Sequence, residues 1–281
     1  MENLVSTQWL ADNLGAPDLV LLDASAHLPD AGRDPAAEFA AGHIPGARYL
    51  DLGTFTDPDS PVPAAVPNPK QFAQRMSALA VPQGARVVIY DDSYVKTAAR
   101  AWFIMRLNGV AEVAVLDGGM GKWRAEGRPL ESGPVEMVAQ PYSAGPGKGV
   151  VRFKKDMVAN LDSKAEQVVD ARGAKRFTGE DHDFRPNIAD GHIPGSRNVA
   201  FDQVMNADGT YKSPEEIRAA FTAAGVDLTQ PMVTTCGGGV TAAVLLFALE
   251  LAGKHDVALY DGSWSEWGAD PALPKELGEA H

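Results

Sequence analysis

Short apolar runs of strand length alternate along this chain with longer stretches of helical pattern. In the second half, residues 167–171 and 197–200 are such runs, 231–235 is rich in β-branched residues, and Val257–Tyr260 is the last of them. Ser213-Pro214-Glu215-Glu216 reads as an N-cap with proline at the first helical position, opening a helix to about Ala224. Residues 240–252 are almost wholly apolar, the pattern of a helix buried against a sheet. The first half runs parallel to this, with strands over Arg86–Tyr90 and 112–116 and a helix over 97–108. Strands alternating with helices predict an α/β fold of mostly parallel sheets flanked by helices.

The two halves repeat one another. Gly42-His43-Ile44-Pro45-Gly46-Ala47-Arg48 recurs as Gly191-His192-Ile193-Pro194-Gly195-Ser196-Arg197. Upstream, Asp23 at the end of an apolar run matches Asp170; downstream, Leu116-Asp117-Gly118-Gly119 matches Tyr260-Asp261-Gly262-Ser263. Markers kept in order at slightly drifting offsets mean two copies of one fold separated by small insertions. Pro134, Pro141, Pro146 and four glycines crowd the stretch between the copies, a linker composition. Residues 1–130 are therefore expected to form one domain, 131–150 a linker and 151–281 a second domain.

With 281 residues, 45% hydrophobic and 22% charged, the chain has the balance of a soluble globular protein. Its net charge of −12 argues against nucleic acid as a partner, because the phosphate backbone would be repelled. An anionic substrate would have to be gathered by local arginines. No apolar run has the length of a membrane span, and Met1-Glu2-Asn3-Leu4 has no basic-then-apolar pattern, so neither a membrane nor secretion is expected. One cysteine excludes an internal disulfide framework and all-cysteine metal sites. The expected compartment is the cytoplasm.

That cysteine is Cys236, in Thr235-Cys236-Gly237-Gly238-Gly239-Val240-Thr241. It follows a predicted strand and precedes a predicted helix, the place where open parallel sheets bind ligands. The glycines let backbone N–H groups turn inward as an anion nest, and the helix beginning near Val240 adds its partial positive charge. Both favour a thiolate, so Cys236 is expected to be reactive. The plainer alternative is a small, buried, apolar cysteine, and the glycines weigh against it. In the first copy Asp91, in Val88-Ile89-Tyr90-Asp91, falls at the position of Cys236, and an aspartate cannot carry sulfur. The first domain is thus expected to be non-catalytic and the second catalytic.

Phe39-Ala40-Ala41-Gly42-His43-Ile44-Pro45-Gly46-Ala47 resembles the first signature of the rhodanese family, and 257–267, from Val257 to Trp267, resembles its C-terminal one. The resemblance spans both halves and implies two tandem rhodanese-like domains with the active cysteine in the second. The Cys-Gly-x-Gly-Val-Thr loop is most similar to that of the 3-mercaptopyruvate sulfurtransferases; thiosulfate-using members commonly carry Arg-Lys after the cysteine. It implies that Gly237, Gly238, Gly239, Val240 and Thr241 shelter the persulfide, and that Arg185 and Arg176 grip the donor. Guanidinium suits a planar carboxylate. Read without the resemblance, those arginines are better explained as solvated ion pairs with Glu180, Asp181 and Asp183; with it, binding is favoured, more for Arg185 than for Arg176. The sequence departs from the family pattern at Gly238, Gly53 and Ala64, where a serine, an aspartate and a histidine credited with proton handling are usual.

The implied activity is that of a sulfurtransferase. Cys236 takes a sulfane sulfur from 3-mercaptopyruvate or thiosulfate and passes it to a thiol or cyanide, with a protein thiol as a further acceptor. No cofactor and no metal are implied, and Asp181-His182-Asp183 alone is a poor metal site. His43 and His192, kept in both copies, read as structural, and Trp123, Trp264 and Trp267 as packing residues. A rhodanese-fold cysteine phosphatase is the alternative, but its arginine six positions after the cysteine would fall at Ala242. A non-catalytic interaction module is the other.

Overall fold

A computed structural model describes residues 1–280. The first five strands are β1 (Leu4–Val5), β2 (Leu19–Asp23), β3 (Ala47–Tyr49), β4 (Arg86–Tyr90) and β5 (Val113–Leu116). They form one sheet in the order β1-β5-β4-β2-β3. The next five are β6 (Val151–Arg152), β7 (Gln167–Asp170), β8 (Arg197–Asn198), β9 (Met232–Thr235) and β10 (Val257–Tyr260), in the order β6-β10-β9-β7-β8. Every pairing in both sheets is parallel. The topologies are the same, as the repeated markers predict.

Central strands that are buried on both faces read as continuous apolar runs, which is why β4, β5, β9 and β10 were legible. The helix Val240–Leu251 is buried over eight of its residues, Ala242 to Leu249, and Thr97–Leu107 is buried from Thr97 to Met105. The helix Pro214–Ala223 starts as expected: Ser213 Oγ accepts from Glu216 N, and the Glu216 carboxylate accepts from Ser213 N. The edge strands β1 and β6 have two residues each, too few to leave a periodic pattern. The run 197–200 is strand only over its first two residues. A 3-10 helix, Phe201–Val204, follows, anchored as Phe201 N donates to Ala171 O.

The repeated Gly-His-Ile-Pro-Gly turn is a closure device in each unit. His43 Nδ1 donates to Phe39 O at 2.8 Å with its ring stacked on Phe39, and His192 Nδ1 donates to Phe177 O at 2.8 Å stacked on Phe177. Each histidine also forms an isolated antiparallel bridge, to Glu131 and Glu276 respectively. The two glutamates accept from Gly46 N and Gly195 N. Both histidines are buried.

By contact the chain divides into two compact units. The first contains Met1–Asp57, Val66–Gly149 and Ala207–Thr210; the second contains Pro58–Ala65, Val150–Asn206 and the chain from Tyr211 on. Residues 132–149 contain no helix or strand and follow the first unit, with Gly133 N bonded to Ala40 O, Gly145 N to Asn108 O and Lys148 N to Arg106 O. Among the described residues no helix is long and apolar enough to cross a membrane.

Candidate active site

The second unit's sheet places Cys236. It is the first residue after β9, the middle strand; β9 leads its chain on to β10 on one side of it, whereas the neighbouring β7 leads on to β8 on the other. That divergence opens a crevice at the carboxyl ends of the strands. Cys236 is 2% exposed. Its Sγ accepts from Gly239 N at 3.1 Å. Its own N–H donates to Ser263 Oγ at 3.3 Å and its carbonyl accepts from Trp264 N at 2.9 Å. Gly237 O accepts from Ser265 N at 2.9 Å. The loop is therefore tied to the segment after β10.

Gly239 takes φ +83° as the N-cap of the helix Val240–Leu251, a conformation that suits glycine. Val240 and Thr241 open that helix, and first-turn N–H groups have no intrahelical acceptor. The sulfur thus sits where an anion is stabilised. Gly238 differs from Gly239. Its φ is not positive, and a Cβ there would have nothing within 4 Å.

Arg176 and Arg185 come together at this loop. Arg176 lies on the short helix Ala174–Thr178 after β7, and Arg185 on the following loop. A Cβ on Gly237 would lie 3.2 Å from one Arg185 Nη and 3.6 Å from an Arg176 Nη. Arg185 Nη1 also donates to Gly237 O at 2.5 Å. Both are held by Asp183, whose side chain is only 2% exposed. Its carboxylate accepts from Arg185 Nε at 2.8 Å, Arg185 Nη2 at 2.7 Å and Arg176 Nη2 at 2.7 Å. Burial alone would push the Asp183 carboxyl up, but the bonds from Arg185 and then Arg176 hold it well below the usual carboxylate range. Two guanidiniums against one carboxylate leave one positive charge facing the loop. The ion pairing is half-buried, with the carboxylate inside and the guanidiniums partly exposed, and neither Glu180 nor Asp181 takes part in it. Phe184, 62% exposed, has both guanidinium carbons over its ring at 5.2 and 5.3 Å.

Asp183, Phe184 and Ser263 are the participants that residue patterns missed. Asp183 was legible only as one of several acids in a loop. Phe184 carried one signal, an aromatic beside an arginine in a polar segment. Ser263 looked like part of a signature.

The first unit repeats the frame with other chemistry. Asp91 follows the middle strand β4, and its carboxylate accepts from Ser93 N at 3.0 Å and Ala98 N at 2.6 Å, in the first turn of Thr97–Leu107. Lys96 holds the N-cap in the left-handed region, as Gly239 does. Burial pushes the Asp91 carboxyl up to about 6, against the pull of those two N–H groups. A carboxylate thus occupies the anion position in one unit and a sulfur in the other.

The remaining candidates fall elsewhere. His182 pairs with Asp190 at 2.7 Å and is exposed. No cluster of three or more metal-ligating side chains is present among the described residues. Trp123 and Trp267 are buried and donate to Pro129 O and Pro274 O, a matched pair of packing residues, while Trp264 donates to Ala189 O. Ala242 is buried in the helix after the loop, so the position six residues after the cysteine supplies no guanidinium.

Residues 6–126 and 154–270 each match the family model described as a rhodanese-like domain. The 3-mercaptopyruvate sulfurtransferase of Mus musculus is 43% identical over 270 residues, covering 94% of this chain and 91% of its own length. The thiosulfate sulfurtransferase of Cricetulus griseus is 38% identical over 273 residues, again with 94% and 91% covered. Among solved structures, SseA from Escherichia coli matches with a TM-score of 0.85 at 36% identity, over 95% of this chain and 100% of that one.

Proposed function

Because the chain belongs to the rhodanese family and is a sulfurtransferase, we propose that Cys236 is the residue that carries the sulfur, with 3-mercaptopyruvate as the preferred donor. The observation that carries this reading is the 3.1 Å contact between Cys236 Sγ and Gly239 N at the head of a twelve-residue helix. A reactive thiolate needs such an electropositive cradle.

The reaction is two-step covalent catalysis. The thiolate attacks the donor sulfur, and the carbon–sulfur bond breaks with its electron pair leaving on pyruvate enolate, which then takes a proton. With thiosulfate the sulfur–sulfur bond breaks and sulfite leaves. The persulfide is sheltered by the N–H groups of the loop and first helical turn, from Gly237 to Thr241. A thiol, cyanide or protein thiol then attacks the outer sulfur, and the electron pair of the broken bond restores the Cys236 thiolate. Gly238, Gly53 and Ala64 offer no acid or base, so the enolate takes its proton from water.

Donor choice follows from charge. The Arg176–Arg185–Asp183 group carries a net single positive charge, which matches the one carboxylate of mercaptopyruvate. Thiosulfate is a compact dianion that profits from a cation beside the sulfur, and the three glycines supply none. The first domain, with Asp91 at the cysteine position, acts as scaffold. The cytoplasm, which keeps thiols reduced, suits a lone catalytic cysteine.

Intact-mass spectrometry tests the intermediate. Donor treatment should add about one sulfur atom to the wild type, removed by cyanide, and Cys236→Ser should take up none. An adduct that survives in the serine variant would place the chemistry on another residue.

A further inference from the structure

Ser263 opens the short helix Ser263–Trp267, three positions after the last residue of β10 in the second unit's sheet. It is fully buried and has φ +49°, in the left-handed region that strains a residue with a side chain. Asp261-Gly262-Ser263 corresponds to Asp117-Gly118-Gly119, and Gly119 has φ +54°. Both units therefore put this residue in the left-handed region, although the glycine before it is left-handed in the first unit (Gly118, φ +77°) and right-handed in the second (Gly262, φ −66°). Only the first uses the residue type that suits the bend.

The surroundings match as well. Met120 N donates to Asp91 O at 3.0 Å, and Trp264 N donates to Cys236 O at 2.9 Å. In the first unit a side chain at Gly119 would collide with the Asp91 carbonyl oxygen. The second unit makes room for one and bears the strain.

The hydroxyl gives that side chain a task. Ser263 Oγ donates to Tyr260 O at 2.9 Å and accepts the Cys236 N–H at 3.3 Å. With the Cys236 carbonyl held by Trp264 N, both peptide groups flanking the cysteine are fixed to the start of the short helix that follows β10. Rotation about χ1 remains as the sulfur's main freedom, and it rests against Gly239 N. We propose that Ser263 is a positioning residue for sulfur transfer, retained in a strained conformation because its hydroxyl fixes the Cys236 backbone so that Sγ meets the Gly239 N–H. This rests on the reading of Cys236 as the sulfur carrier.

Ser263→Gly and Ser263→Ala separate strain from hydroxyl. Glycine suits the positive φ and removes the hydroxyl, while alanine removes the hydroxyl and keeps the strain. Three quantities are measured on the full chain: the melting temperature, the rate of Cys236 alkylation by iodoacetamide as a function of pH, and the rate of persulfide formation by intact mass. Ser263→Gly should melt at or above the wild-type temperature. Its cysteine should nevertheless be alkylated about fivefold more slowly at neutral pH, the factor that one neutral hydrogen bond sustains. Persulfide formation should slow by a similar factor. Ser263→Ala should show the same slowing with a lower melting temperature. A merely structural serine predicts that reactivity follows stability, so a Ser263→Gly protein with wild-type or faster alkylation overturns the proposal. Alkylation is read on the thiol itself and decides the matter whatever the donor. Wild-type protein that forms no adduct would instead count against Cys236 as carrier.

Discussion

Replacing Asp183 by asparagine removes the charge that holds the two arginines and keeps the shape. The carboxylate accepts three guanidinium N–H bonds of 2.7 to 2.8 Å at a side chain 2% exposed. An amide offers one acceptor oxygen and turns an NH₂ toward the other guanidinium donors, so at least one bond is lost and another becomes a repulsion. A charge-assisted bond contributes about 1.5–3 kcal/mol when fully buried. Arg176 and Arg185 are 29% and 24% exposed, so solvent screening lowers the expected loss of stability to about 1–2 kcal/mol. Loosened arginines should reduce kcat/KM for mercaptopyruvate by about five- to thirtyfold, the same energy read as rate. The net charge facing the loop meanwhile rises from one to two. Coulomb attraction scales with the product of charges, so a dianion gains more than a monoanion. The ratio of kcat/KM for thiosulfate to that for mercaptopyruvate should therefore rise by about three- to tenfold. Steady-state assays with both donors and cyanide as acceptor measure it. A lowered melting temperature with an unchanged ratio would make Asp183 purely structural and refute the charge argument. Because the Asp183 carboxyl is held below its unfolded value of 3.8, its stabilisation is fully present above that pH and lost as the pH falls through the folded value. Wild type and variant should thus converge in stability only in strong acid.

Arg185→Ala should weaken donor use by about 1.5–3 kcal/mol in kcat/KM, while a pre-formed persulfide discharges to acceptor at nearly the normal rate in single-turnover experiments. Gly238→Ser should leave the melting temperature unchanged, since a Cβ there meets nothing within 4 Å; Gly239→Ala, at φ +83°, should lose about 1–3 kcal/mol and slow alkylation of Cys236. Asp91→Ala should keep turnover within about tenfold of wild type in the same steady-state assay. Because the Asp91 carboxyl is raised from 3.8 to about 6, its contribution is greatest below pH 4 and is lost as the pH rises through 6. Melting temperatures of wild type and Asp91→Ala across that window should differ with a slope amounting to no more than about 3 kcal/mol.

The sequence by itself determined the fold class, the duplication and the loop that holds Cys236. These rest on short-range patterns. Buried central strands must be apolar, as in Val88-Ile89-Tyr90 and Val257-Ala258-Leu259-Tyr260, and a helix start announces itself, as at Ser213-Pro214. A glycine run beside a lone cysteine is equally local. Only the tertiary structure decided which groups converge on that cysteine. Asp183 could be singled out from Glu180 and Asp181 only when the loop carried its side chain inward to meet Arg176 and Arg185. Ser263 is 27 residues from Cys236 along the chain and meets it only because β9 and β10 pair side by side. Its positive φ belongs to the bend after β10, which no side-chain pattern announces. Apolar periodicity records which face of an element is buried, whereas a site is assembled from strand ends, where the pattern stops and the order of strands in the sheet takes over.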